Sequence, residues 1–216
     1  MLETLIGAAL GLASGMRHAM EPDHLAAVST VVAEQKSART SMAFAAAWGT
    51  GHALMLLGVG GALLVARREM PERVASAFEL VVAAMLVALG IRAIVQAKRH
   101  APTHHHEGAA AEEQAKGRAR GLSGALRPLA IGVVHGLAGS GALAALAIGK
   151  APSVGAGLLF LAIYGIGAML GMSALAGAVG VPLARLARQP KVMSGLLALT
   201  GMLSIALGIG WAWVRM

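Results

Sequence analysis

Residues 15–27 read Gly-Met-Arg-His18-Ala-Met-Glu21-Pro22-Asp23-His24-Leu-Ala-Ala: two imidazoles and two carboxylates around one proline, inside an apolar stretch. A charged group at the centre of a bilayer costs about 2.5–3.5 kcal/mol or more, so such groups mark a site or a pathway. On an unbroken helix His18 and His24 would lie about 240° apart and could not share an ion. Pro22 removes a backbone donor and clashes with the carbonyl of residue 18, which breaks the helix. A broken helix is tolerated at membrane depth where protein or a wet cavity satisfies its backbone. Pro22 also suits the first position of a new half-helix, with Glu21 in the cap region and Asp23 in the first turn. The expectation is a discontinuous first span in which His18, Asp23 and His24 converge on one ion. Imidazole and carboxylate together suit borderline divalent metals.

Outward from this stretch the chain reads as membrane. Of 216 residues 57% are hydrophobic and 13% charged, against about 25% charged in soluble domains. The 29 glycines allow close helix contact where lipid supplies no hydrophobic drive. The absence of cysteine excludes disulfides, thiolate metal sites and iron–sulfur clusters. No cleavable signal peptide is expected: the N-terminus is apolar, lacks a basic start and runs directly into the motif. A net charge of +8 raises nucleic acid as a partner, but the basic residues sit in loops between apolar spans, where they read as orientation signals.

Six apolar segments approach the roughly 20 residues needed to span a bilayer. They cover about 5–32, 42–66, 74–97, 129–149, 154–179 and 192–214. The fold class expected is an all-α polytopic membrane protein. Its halves resemble each other: GMRHAMEPDHLAA carries His18 and GVVHGLAGSGALAA carries His135, while AMLVALGI at 84–91 recurs as GMLSIALGI at 201–209. Three spans per half give the halves opposite topology, as in transporters with inverted repeats and a midplane site. The units expected are 1–97, a three-helix repeat; 98–127, a polar, mostly disordered loop; and 128–216, a second three-helix repeat. Alternate loops, with the first, third and fifth on one face, hold eleven Lys and Arg against five on the other face. That bias puts both termini outside and the loop 98–127 in the cytoplasm, in a bacterial inner membrane.

Further candidates flank the motif. His52 follows Gly49 and Gly51 in WGTGHALML; alone it would read as a satisfied core histidine, but beside the first cluster it reads as a ligand. His135 matches His18 in the second half, and Gly136, Gly139 and Gly141 offer either a second helix break with exposed carbonyls or close helix packing. Ser140 is equally a cap, a weak oxygen ligand or a packing residue. Glu79 is either a coupling carboxylate or the partner of Arg17 or Arg92. His100, His104, His105 and His106 form a short tract of a kind that binds Ni, Zn or Cu.

The spacing His18-x4-Asp23-His24 and the Gly-His pair at 51–52 resemble the motifs of the nickel/cobalt transporter family, in its shorter six-span, urease-accessory-type branch. The likeness runs through the chain in span order, with specific motifs in the first two spans. It implies Ni2+ or Co2+ as substrate and His18, Asp23, His24 and His52 as ligands. In the second half HGLAGSGAL stands where longer members carry an acidic, Thr-rich motif.

The function expected is therefore a secondary carrier for divalent transition-metal ions, an uptake system and not an enzyme. Ligand chemistry alone also admits Zn2+. No permanently bound cofactor is expected. Glu21, His135, Ser140 and Glu79 are further metal or pathway candidates. His104, His105 and His106 form an accessory metal-binding tract that would pass the ion to a cytoplasmic metallochaperone. Affinity should fall at low pH, because ligands must be deprotonated. Alternatives are a metal exporter and a membrane electron carrier with His-ligated haem, the latter opposed by 3% aromatic content. No HExxH motif of a metallohydrolase is present.

Overall fold

The computed structural model describes residues 2–32, 37–100, 121–186 and 189–215. Every regular element in them is helical. Helix α1 (Leu2–His18) ends at the first histidine of the motif, and α2 (Pro22–Val32) begins at the proline. Between them the chain tightens, with Met20 N–H donating to Arg17 O at 2.9 Å and Glu21 N–H to His18 O at 3.0 Å. These are three-residue closures of the kind that finish a helix. The break expected at Pro22 is present, with Pro22 opening α2.

Helix α3 (Ala38–Met55) starts from a capping box in which Ser37 Oγ accepts from Thr40 N–H and Thr40 Oγ1 accepts from Ser37 N–H. It continues through one turn of π-helix (Leu56–Gly60) into α4 (Gly61–Ala66), and stops at Arg67 in the left-handed region, φ 50°. Then follow α5 (Glu72–His100), α6 (Gly121–Lys150), α7 (Val154–Leu186) and α8 (Pro190–Arg215). Among the described residues five continuous stretches, within 38–66, 72–98, 125–147, 154–182 and 191–214, are long and apolar enough to cross a bilayer. The protein is a helical integral membrane protein in which α1 and α2 form a broken pair beside these five.

The alternative of a second break is corrected. Helix α6 runs unbroken from Gly121 to Lys150, so the fourth apolar segment has no second break. Its glycines serve approach: a Cβ on Gly136 would stand 2.7 Å from His52 O, and one on Gly132 would fall on Trp48 O. Of the polar stretch 98–127 only the ends are described, and both are helical: α5 reaches His100 and α6 opens at Gly121. His104, His105 and His106 lie outside the described residues.

Helix α3 packs against α6 and α7, α1 against α7, and α5 against α8. Backbones meet at small residues, as membrane helices require. Gly90 and Gly201 face each other, and a Cβ on either would stand 2.5 or 2.7 Å from the other's carbonyl oxygen. Gly15 meets Tyr164 O, and Gly51 and Gly167 meet the carbonyls of Leu129 and Leu12. Interhelical hydrogen bonds add to this, with Ser204 Oγ donating to Leu86 O and Ser194 Oγ to Ala97 O, both at 2.8 Å. The main apolar core holds Val28, Val32, Trp48, Leu86, Leu89, Ala168 and Met172.

Candidate metal site

Four elements deliver the motif residues to one point. His18 ends α1, Asp23 and His24 occupy the first turn of α2, His52 stands one turn after Trp48 on α3, and His135 lies midway along α6. Because α2 starts afresh at Pro22, His24 is freed from the helical phase of His18, which removes the 240° conflict. His18 is 8% exposed, Asp23 5%, and His24, His52 and His135 1% each. Burying five groups of this polarity is costly unless each is paired or ligates a metal.

His18 Nε2 lies 3.2 Å from His52 Nε2. His24 packs between its neighbours, its ring centroid 4.4 Å from His18, 5.1 Å from His52 and 4.2 Å from His135. His135 Nε2 is 2.9 Å from Asp23 Oδ2. Asp23 Oδ1 stands 3.2 Å from His24 Nδ1, but outside hydrogen-bond geometry. Asp23 Oδ1, both nitrogens of His24, His52 Nδ1 and His135 Nδ1 are all buried without a hydrogen bond. Unsatisfied buried donors and acceptors are rare in folded proteins and call for an explanation. A cation between them supplies one. Two imidazole nitrogens bound to one ion at about 2.0–2.1 Å stand about 2.9–3.4 Å apart at right or tetrahedral angles, and the His18–His52 separation falls in that range.

A cavity of about 170 Å3 opens onto the cluster, lined also by Glu21, Glu79, Ala138, Gly139 and Trp211. Glu21 is half exposed and holds His18 Nδ1 through Oε2 at 3.0 Å. The cavity has a direction. Along α3 and α6 the apolar Ala45, Trp48 and Ile131 precede the ligand histidines, and along α5 Leu86 and Leu89 follow Glu79. One side of the cluster is therefore reached through the cavity, and the other is sealed by the main apolar core.

The structure thus gathers His18, Asp23, His24, His52 and His135, and places Glu21 and Glu79 on the cavity wall. Ser140 does not join them. It is buried, its hydroxyl donates to Leu137 O at 2.8 Å, and its neighbours Ala138 and Gly139 line the cavity instead. Three aromatic residues at the site carried no sequence signal. Trp48 stacks on His24 at 6.0 Å and meets His135 edge-on at 5.5 Å, Tyr164 lies 5.5 Å from His18, and Trp211 lines the cavity. An aromatic ring in an apolar helix looks the same whether it faces lipid or ligand. The imidazoles that touch one another pack with ring centroids 4.2–5.9 Å apart.

The chain is 32% identical over 202 residues to the urease accessory protein UreH of Bacillus sp. (strain TB-90), an alignment covering 93% of this chain and 87% of that one. No protein-family model matches the chain. No solved structure matches it either.

Proposed function

We propose that this chain, which belongs to the family of the urease accessory protein UreH, is a secondary membrane transporter that takes up divalent transition-metal ions, Ni2+ or Co2+. The observation that carries the proposal is the convergence of four buried histidines and Asp23 at a broken helix, with unpartnered ring nitrogens facing one another. The relative is named as accessory to urease, and nickel comes from the resemblance of His18-x4-Asp23-His24 and Gly51-His52 to the motifs of nickel/cobalt transporters.

The ion enters the cavity past Glu21, exchanges part of its water for the imidazoles of His18, His24 and His52 and the carboxylate of Asp23, and then leaves across the apolar seal as the halves rock. The six-span reading counts the broken α1–α2 pair as the first span, and an inverted repeat relates 1–97 to 128–216. Matched contacts support it. The packing of α3 on α6 has its counterpart in α7 on α1, and that of α5 on α6 in α8 on α2. Gly15 against Tyr164 pairs with Gly132 against Trp48, Gly167 against Leu12 with Gly51 against Leu129, and Gly90 against Gly201 with Gly208 against Ala83. A duplicated unit arranged about a two-fold axis in the membrane plane has this pattern. The bias in basic residues supports an inner-membrane orientation with both termini outside and 98–127 in the cytoplasm. There His104, His105 and His106 would hand the ion to a metallochaperone.

The test is uptake of Ni2+ and Co2+ into proteoliposomes holding the purified chain, together with growth of a deletion strain. Uptake and metal starvation on deletion are expected. Metal toxicity on deletion would reverse the direction to efflux, and absence of any metal flux would refute transport.

A further inference from the structure

We infer that the cluster is two overlapping ion stations that share His24, an outer one of three imidazoles and an inner one completed by Asp23 and His135. The inference rests on the transport reading and assigns His135, on the second half of the chain, a direct part in it. The donor atoms of the five residues fall into two groups, His18–His24–His52 and Asp23–His24–His135, each within 4.8 Å. Donors around one ion at about 2.1 Å stand no more than about 4.2 Å apart. Each group lies close to that limit, and the described residues do not merge into one group of five.

His24 belongs to both groups, is 1% exposed, and has no hydrogen bond on either ring nitrogen. It is therefore the ligand that stays with the ion. The others differ in place and chemistry. His18 is bonded to the half-exposed Glu21 at the cavity. His24 and His135 both rest on Trp48, which belongs to the apolar seal. The outer station has imidazoles alone as ligands, with the Glu21 carboxylate standing behind His18. The inner one adds a carboxylate, which is taken out of water with the ion and attracts it strongly in a low dielectric. Transfer breaks the metal bonds to His18 and His52 as bonds to Asp23 and His135 form, while the bond to His24 persists. The ion crosses this step without rehydrating. The hydrogen bond between His135 Nε2 and Asp23 Oδ2 leaves Asp23 Oδ1 and His135 Nδ1 buried with no hydrogen bond, free to ligate an ion at the inner station. Ion pathways in which binding is split over adjacent sites avoid trapping the ion in one deep well.

Co2+ alone is the probe, because its electronic and X-ray absorption spectra count imidazole ligands. The full chain is used, with His104, His105 and His106 replaced by Ala in every background. His135→Ala should still bind one Co2+, at the outer station, with three imidazoles. His52→Ala should still bind one Co2+, at the inner station, with fewer imidazoles and an added oxygen. Both should keep affinity within about tenfold of wild type yet lose at least about tenfold in proteoliposome uptake, while His24→Ala, which removes a ligand from both stations, loses about a hundredfold or more in affinity, at or beyond the upper end of what loss of an outer-shell partner costs. Equal loss of binding in His52→Ala and His135→Ala, each eluting and melting as a folded protein, would mean one five-ligand site and overturn the two stations. So would unchanged uptake in His135→Ala. A wild-type chain that binds Co2+ but does not move it would refute transport while the two spectra still decide the stations. One that binds no Co2+ overturns both readings.

Discussion

Substituting alanine for Gly132 tests whether the site depends on backbone contact between α3 and α6. A Cβ at Gly132 would fall on the carbonyl oxygen of Trp48 and stand 2.8 Å from Trp48 Cδ1. Neither is the tip of a flexible chain, so the helices must separate by about 1 Å to restore ordinary contact. Overpacking of this kind costs about 1–3 kcal/mol. At about 2–4 °C per kcal/mol for a chain of this size, the melting midpoint should fall by about 2–12 °C. Trp48 moves with the clash, and His24 and His135 rest on its ring, so metal affinity should fall as well. Gly195→Ala on α8 is the control: nothing lies within 4 Å of its added Cβ, and an open helical glycine replaced by alanine gains up to about 1 kcal/mol. The assay is thermal unfolding of both variants in detergent, by intrinsic fluorescence or circular dichroism, with Ni2+ titration alongside. Equal midpoints for the two variants would refute the claim that Gly132 is glycine because α3 lies against it.

Pro22→Ala allows α1 to run on through the break and should weaken Ni2+ binding by about tenfold or more, the scale seen when the supports of a metal ligand are lost; unchanged affinity in a calorimetric titration would mean the proline does not set the ligand geometry. Glu21→Gln loses the charged partner of His18 Nδ1 and should cost about tenfold in affinity, read in the same titration, with no change in melting midpoint. Ser140→Ala should leave Ni2+ affinity within about twofold, because its hydroxyl bonds Leu137 O and a lone neutral hydrogen bond contributes about 1 kcal/mol to stability. A large affinity loss there would put Ser140 back among the ligands.

Much of the site could be read before the fold because its donors are close in sequence. His18, Asp23 and His24 lie within seven residues, and Pro22 gives a local reason for the break that joins them. His52 was legible for a different reason, as a polar side chain in an apolar span that already had a partner cluster. The second half was harder. Gly136, Gly139 and Gly141 are equally compatible with a break and with close packing, and what decides between them is the matching face of α3, with His52 O against Gly136. Sequence around a single helix holds no record of that face. Trp48, Tyr164 and Trp211 escaped notice because lipid-facing and protein-facing positions are both apolar in a membrane, so the periodicity that marks a buried face in water is absent. The grouping of donors into two triads depends on ångström-scale placement of four helices and had no sequence signal.

The central claim is that the buried histidines hold the transported ion, and binding of Ni2+ to the purified chain tests it most directly. The titration compares wild type with His18→Ala and His24→Ala, with His104, His105 and His106 replaced in all three so that the tract cannot mask the result. A stoichiometric site in the wild type, weakened in His18→Ala and lost in His24→Ala, is the expected result. Ni2+ binding that is absent from the wild type, or indifferent to His24, would contradict the account.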